Sequence, residues 1–141
     1  MARTKRTAAK TPRWRLGVLE IAQTDEDSLL AGVIELVAQT FRHATKHLSS
    51  ARNLVLFTWD SARAQLTVGF TDRGRTRADP AVLTLRCLGR WGEDEQTRVH
   101  RMQEWLERVL AIGQEHVEEL RRHGVYIAFT TTEEDASLEY I

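Results

Sequence analysis

The segment from about Glu93 to His123 constrains the fold most, because it has the pattern of one long helix. Acidic residues open the segment, and basic residues close it directly before Gly124. Acids stabilise the start of a helix, bases stabilise its end, and glycine commonly follows the last turn. Its apolar residues recur at helical spacing: Val99, Met102, Leu106, Val109, Leu110, Val117 and Leu120. The pattern predicts an amphipathic helix that needs a second layer to cover its apolar face.

A second helix is predicted from Thr24 to about Leu48. Thr24 is a good helix cap, and three acidic residues follow it. The apolar positions again form one stripe: Leu30, Val33, Ile34, Val37, Phe41, Ala44 and Leu48. Two amphipathic helices of this kind can cover one face of a sheet.

The rest of the chain has the composition or the alternation of β-strands. The predicted strands cover residues 14–21, 53–59, 64–70, 81–88, 125–129 and 136–140. Residues 81–88 could also form a short helix after Pro80, but their strict alternation favours a strand. We therefore predict an α+β domain over residues 14–141. It has an antiparallel five- or six-stranded sheet with two long helices on one face, in the order β-α-β-β-β-α-β-β.

Charge is distributed unevenly along a chain whose formal net charge is zero. The first 15 residues carry six of the 20 basic side chains and no acid, so the remaining 126 residues have a formal charge of −6. Residues 1–13 also lack apolar periodicity. They are predicted to form a flexible basic arm, which could bind a polyanion or fold back on the acidic body.

Catalysis and metal binding have weak support in the sequence. His43 and His47 are four residues apart on a helix, which suits a metal, but no third ligand is evident. Cys87 has Leu85 and Leu88 as neighbours, which favours a buried thiol over a nucleophile. His116 lies three residues before Glu119, a spacing that charged helices produce by chance. We predict a non-enzymatic protein without metal or cofactor.

The predicted compartment is the cytoplasm. One cysteine cannot form an internal disulfide, and no apolar run approaches the roughly 18 residues that cross a bilayer. We expect no membrane partner.

Partner binding is the first functional hypothesis. Two helices would leave one sheet face free, and Phe57, Trp59 and Tyr126 are predicted on that face, with Trp91 as a further contact residue. The element order from Thr24 onward resembles that of type III secretion chaperones, which are α/β dimers that hold an extended partner chain. The resemblance favours a partner-binding dimer. A chaperone, immunity or assembly-adaptor role would fit the partner-binding hypothesis, with a homodimer or a protein partner.

Nucleic-acid binding is the alternative hypothesis. Basic residues of the arm and of the loop after residue 71 could form a phosphate-binding surface. The candidate residues are Arg3, Lys5, Arg6, Lys10, Arg13, Arg15, Arg73, Arg75 and Arg77. The same loop could instead be an ordinary solvated connection.

Overall fold

The computed structural model describes residues 14–21, 26–78, 81–87, 95–133 and 137–141. Across these residues the chain forms seven strands and three helices. The strands are β1 (Trp14–Arg15), β2 (Val18–Ile21), β3 (Leu54–Asp60), β4 (Gln65–Thr71), β5 (Leu83–Cys87), β6 (Tyr126–Thr131) and β7 (Glu139–Tyr140). The helices are α1 (Glu26–His47), α2 (Glu95–Ile112) and α3 (Gln114–Arg122). The α+β class is confirmed. The prediction of a strand within residues 81–88, in preference to a short helix, is also confirmed, because Leu83–Cys87 form β5.

The sheet is mixed, so the predicted antiparallel sheet is wrong. Its strand order is β1-β2-β5-β4-β3-β6-β7, in which β2 pairs with β5, and β3 with β6, in parallel. The sheet is mixed because helices connect β2 to β3 and β5 to β6. A hairpin turn reverses the chain, whereas a helical connection returns it to run in its former direction. As a result β2, β3, β5 and β6 all run the same way, and only β1, β4 and β7 oppose them.

The long helix predicted from Glu93 to His123 is two helices with a break at Gly113. The backbone of Gly113 has φ −93° and ψ 31°, far from the helical ψ of about −42°. Glycine is among the weakest helix formers, and the ring of Phe41 lies 3.4 Å from where a Gly113 Cβ would be. The predicted end at Gly124 is confirmed, with φ +77°. Glu93 lies outside the described residues.

The first predicted strand, residues 14–21, is a small hairpin instead of one strand. Trp14 pairs with Leu19, and Arg15 pairs with Val18, so the turn between them has only two residues. Both turn residues have positive φ, 54° at Leu16 and 77° at Gly17. Two-residue turns of this sort match the right-handed twist of paired strands.

The helices form a layer on one face of the sheet. α1 packs against β2 and β5, α3 packs against β6, and α2 packs against both other helices. One core cluster joins buried residues of all three helices with the alternate residues of strands β2 to β6 that face them. Leu106 is completely buried there, as the apolar stripe predicts. The opposite side of the sheet, called the open face below, receives no helix from the described residues.

Candidate binding groove on the open sheet face

Phe57 and Trp59 do not lie on the open face, so their predicted place in an exposed aromatic patch is wrong. Both are completely buried in the core under the helices. Phe57 pairs with Val68 and with Phe129, and Trp59 pairs with Leu66. Cross-strand partners project from the same face of a sheet, so these apolar partners share the helix side.

Part of the open face is itself covered by the chain. Leu54, Leu56 and Ala128 are completely buried there and form a second, smaller cluster. Ala78 and Leu138 pack against it, as does the half-buried Tyr126. Ala78 belongs to residues 72–78, which we call the arginine loop, so this loop covers one end of the open face.

Three contacts hold the arginine loop in place. The backbone N–H of Arg73 donates to Oδ1 of Asn53 at 2.9 Å, and that of Gly74 donates to the hydroxyl of Tyr140 at 3.1 Å. The Arg73 guanidinium lies 4.0 Å above the ring of Tyr126, within the range of a cation–π interaction. Tyr126, which the sequence predicts to contact a partner protein, thus supports the loop through its contact with Arg73.

The three arginines of the loop therefore differ in what they do. All three are exposed, but Arg73 is stacked against Tyr126, with Tyr140 beside it. Arg77 instead lines a groove next to the loop. Arg75 lies between them at the exposed turn of the loop.

The groove lies between the arginine loop and the uncovered part of the open face. Its volume is about 530 Å³, within the range of about 300–1,000 Å³ typical of ligand sites. Its lining is polar and comes from five segments of the chain: Thr58, Asp60, Arg63, Gln65, Thr67, Thr76, Arg77, Ala78, Thr131, Thr132 and Glu133. Hydroxyl, amide, carboxylate and guanidinium groups thus surround one space.

A row of threonines crosses the open face at the groove. Thr130, Thr58, Thr67 and Thr84 are in register on the neighbouring strands β6, β3, β4 and β5. Thr58 and Thr67 form part of the groove and are half-buried. Each hydroxyl can donate one hydrogen bond and accept others. Thr130 is buried, and the Thr67 hydroxyl donates to the Thr58 carbonyl at 3.5 Å. The accessible hydrogen-bonding groups of the row are therefore those of the half-buried Thr58, Thr67 and Thr84.

Both signs of charge meet at one end of the groove. The Asp60 carboxylate accepts the backbone N–H of Arg63 at 3.2 Å and lies 3.9 Å from its guanidinium. Outside the groove, in the same cross-strand row, Arg86 pairs with Glu20 at 3.3 Å. The Arg63 side chain is 76% exposed and that of Arg86 is 44% exposed, so water screens both pairs and they add little to stability. The groove thus presents mixed charge and not a uniformly basic surface.

Several predicted site residues belong to other parts of the chain than those described. Trp91 and the arm residues Arg3, Lys5, Arg6, Lys10 and Arg13 lie outside the described residues. Arg15 belongs to β1, but its side chain is outside the described part as well. The groove residues Thr58, Gln65 and Thr67 were not predicted as a site. Their only signal was an ordinary polar position in a predicted strand.

Cys87 is buried in the main core, and burial raises the pKa of its thiol to about 12. The reactive thiolate is therefore scarce at neutral pH. We expect iodoacetamide at pH 8 to leave the native protein unmodified over minutes, because both access and ionisation are lacking. The same reagent in denaturant should add one carbamidomethyl group, measured by intact mass. Equal rates in the two conditions would contradict the buried position.

Within the described ranges, no three His, Cys, Asp or Glu side chains are grouped so as to hold a metal ion. No helix described here combines the length and the apolar character needed to cross a bilayer. No protein-family model matches the sequence, and no curated protein or solved structure is significantly similar to it. The function therefore has to be inferred from the groove and its surroundings.

Proposed function

We propose that this protein is a non-enzymatic binding module that holds an extended segment of a partner protein in the open-face groove. The observation that carries the proposal is the groove itself. It is a polar concavity of about 530 Å³ on the sheet face that the described helices leave uncovered. A chaperone, immunity or assembly-adaptor role would use such a site.

The lining suits a peptide because a peptide offers a donor and an acceptor at each residue. The hydroxyl of Thr58 and the amide of Gln65 can bind either kind of group, and the Thr67 hydroxyl, which donates to the Thr58 carbonyl at 3.5 Å, can accept. Such contacts hold a backbone without demanding one sequence. The guanidinium of Arg77 adds a preference for a carboxylate on the bound segment, because charge-assisted hydrogen bonds are stronger than neutral ones.

Replacement of Thr67 by arginine tests the groove. Thr67 lines it, whereas Thr84, the next threonine of the same row, does not. A partner protein captured by the wild type would first be cut down to the peptide segment that binds. Calorimetry would then measure the dissociation constant of that peptide for the wild type and for each variant. We expect Thr67→Arg to weaken binding at least about tenfold, a loss of about 1.4 kcal/mol. The matched variant Thr84→Arg should bind like the wild type.

Melting temperatures of both variants would separate a blocked groove from a misfolded protein. Equal weakening by the two substitutions, or none by Thr67→Arg, would place the partner elsewhere and defeat the proposal. A peptide that binds only when it carries acidic residues, and loses that preference in Arg77→Gln, would identify the role of Arg77.

Nucleic acid is the second candidate, supported by the exposure of Arg75 and Arg77 on the arginine loop. Asp60 and Glu133 weigh against it, because both lie in the groove and repel phosphate. Binding of a labelled single-stranded oligonucleotide that weakens steeply with salt, and is lost in Arg75→Ala/Arg77→Ala, would favour this candidate over a peptide.

A further inference from the structure

The arginine loop reaches across the open face to the opposite edge of the sheet. It leaves β4 after Thr71, and the Gly74 N–H donates to the hydroxyl of Tyr140 on β7 at 3.1 Å. Tyr140 pairs with Ala128, so its side chain projects from the open face. In the strand order β3 and β6 lie between β4 and β7. The loop therefore spans two strands, and Tyr140 holds it at the far edge.

Residues 137–141, called the β7 segment below, share in covering the open face. Leu138 packs against the smaller buried cluster, as Ala78 of the loop does. The Tyr140 ring stands edge-on to a ring of β6, with 6.4 Å between the centroids, and the Arg73 guanidinium lies 5.8 Å from the Tyr140 centroid. The arginine loop and the β7 segment thus form one two-part cover that is joined at Tyr140.

The β7 segment is itself fastened to the helix side of the sheet. Ile141 packs against the main core, and its N–H donates to a carbonyl of β6 at 2.9 Å. The carbonyl of Ile141 accepts a hydrogen bond from the Arg121 guanidinium of α3. On the other side of Tyr140, the carboxylate of Glu139 accepts the amide of Gln103 from α2. Tyr140 therefore has an anchored neighbour on each side and gives the loop a fixed attachment point.

Few contacts close the arginine loop. All of residues 72–77 are exposed, and Ala78 is half-buried. The described contacts that hold the loop are the N–H bonds to Asn53 and to Tyr140, the stacking of the Arg73 guanidinium on an aromatic ring of β6, and the Ala78 packing. Segments with few buried apolar contacts open locally far more often than the whole protein unfolds. The loop therefore has the features of a segment that opens before the core does.

We infer that the arginine loop is a strap that opens and closes as one unit, with the Tyr140 hydroxyl as its latch. Opening withdraws Arg77 from the groove and Ala78 from the smaller cluster, so that Leu54 and Leu56 become more accessible beside the groove. The contact at the sheet edge thereby controls both the charge of the groove and the apolar surface next to it. The strap is a property of the chain and does not depend on what binds in the groove.

Hydrogen exchange on the full chain, followed residue by residue by nuclear magnetic resonance, tests the strap. The N–H groups of Arg73 and Gly74 donate to two different side chains. If the loop opens as one unit, their protection factors should agree within about threefold. Both should lie at least about a hundredfold below the protection factor of Phe57 on the internal strand β3, which exchanges only when the core opens.

Tyr140→Phe removes only the latch hydroxyl. One hydrogen bond changes an equilibrium by about three- to tenfold. We expect protection to fall by this factor at Arg73 as well as at Gly74, although the Arg73 N–H donates to Asn53 and not to Tyr140. Trypsin cleavage after Arg77 should accelerate by the same factor, because cleavage of a briefly opened segment follows its open population.

Two further variants and an internal reference complete the test. Asn53→Ala removes the acceptor of the Arg73 N–H and should lower protection at Gly74 too, by about three- to tenfold. Tyr126→Phe, which keeps the ring under the Arg73 guanidinium, is the matched control and should leave the loop unchanged. The Arg63 N–H, which donates to a carboxylate in the exposed turn after β3, should exchange at the wild-type rate in every variant.

Loss of protection confined to Gly74 in Tyr140→Phe would mean a single local bond in place of a strap. The inference would also be overturned by a Gly74 amide that has no protection in the wild type, because the strap would then be open. A Gly74 amide as protected as that of Phe57 would overturn it as well, because the loop would then open only with the core.

Discussion

Trp59→Ala is expected to destabilise the folded protein by about 3–5 kcal/mol, the usual cost of removing a buried tryptophan side chain. Trp59 is completely buried between the sheet and the helices, and its cross-strand partner Leu66 is buried with it. The substitution leaves a large cavity that rigid neighbours cannot close. Because typical domains are stable by only about 5–15 kcal/mol, part of the variant population should unfold at moderate temperature.

Urea denaturation followed by far-ultraviolet circular dichroism measures this effect, since it does not depend on the tryptophan itself. Thr58→Ala is the matched control. Thr58 is the neighbouring residue on β3, half-buried on the other face. We expect the control to cost about 1 kcal/mol or less. A Trp59→Ala protein as stable as the control would mean that Trp59 is exposed in solution, where it could bind a partner after all.

Leu56→Ala is expected to cost about 2–5 kcal/mol, although Leu56 projects from the open face. The residues that cover the open face, Ala78 of the arginine loop together with Tyr126 and Leu138, explain this cost. Leu56 is completely buried in the cluster against which Ala78 of the loop packs. On a bare sheet face the same substitution would cost far less, because the side chain would already be in water.

Arg75→Ala on the exposed turn of the loop serves as the control and should change the stability by no more than about 0.5 kcal/mol. Hydrogen exchange at Gly74, whose N–H donates to the Tyr140 hydroxyl, would report separately whether the loop has detached. A loss of stability below about 1 kcal/mol for Leu56→Ala would show that the loop and Leu138 do not cover the open face in solution.

The error about Phe57 and Trp59 has a definite physical origin. β4 alternates clearly, with Leu66 and Val68 on one face. β3 begins with four consecutive buried residues, so its own pattern cannot say which of them face the helices. The register of the hairpin decides the matter, because it pairs Phe57 with Val68. Counting back from the turn at residues 61–64 would have given this register.

The groove was beyond prediction for a different reason. Its residues come from separate segments, and none is unusual in its own segment. Thr58 and Thr67 become neighbours only when β3 pairs with β4, and Arg77 reaches them only because the arginine loop folds back over the sheet. The anchors of that loop are also distant in sequence, since Gly74 bonds to Tyr140 and Arg73 to Asn53.

The sequence by itself determined the local elements of this protein. Apolar periodicity located the helices and most strands, and Gly124 marked the end of the last helix, because both signals act within a few residues. Tertiary structure alone decided the parallel pairings, the break at Gly113 against Phe41, and the face on which each aromatic residue lies. These features depend on contacts between segments far apart in the chain, whose free energy has no counterpart in the local pattern.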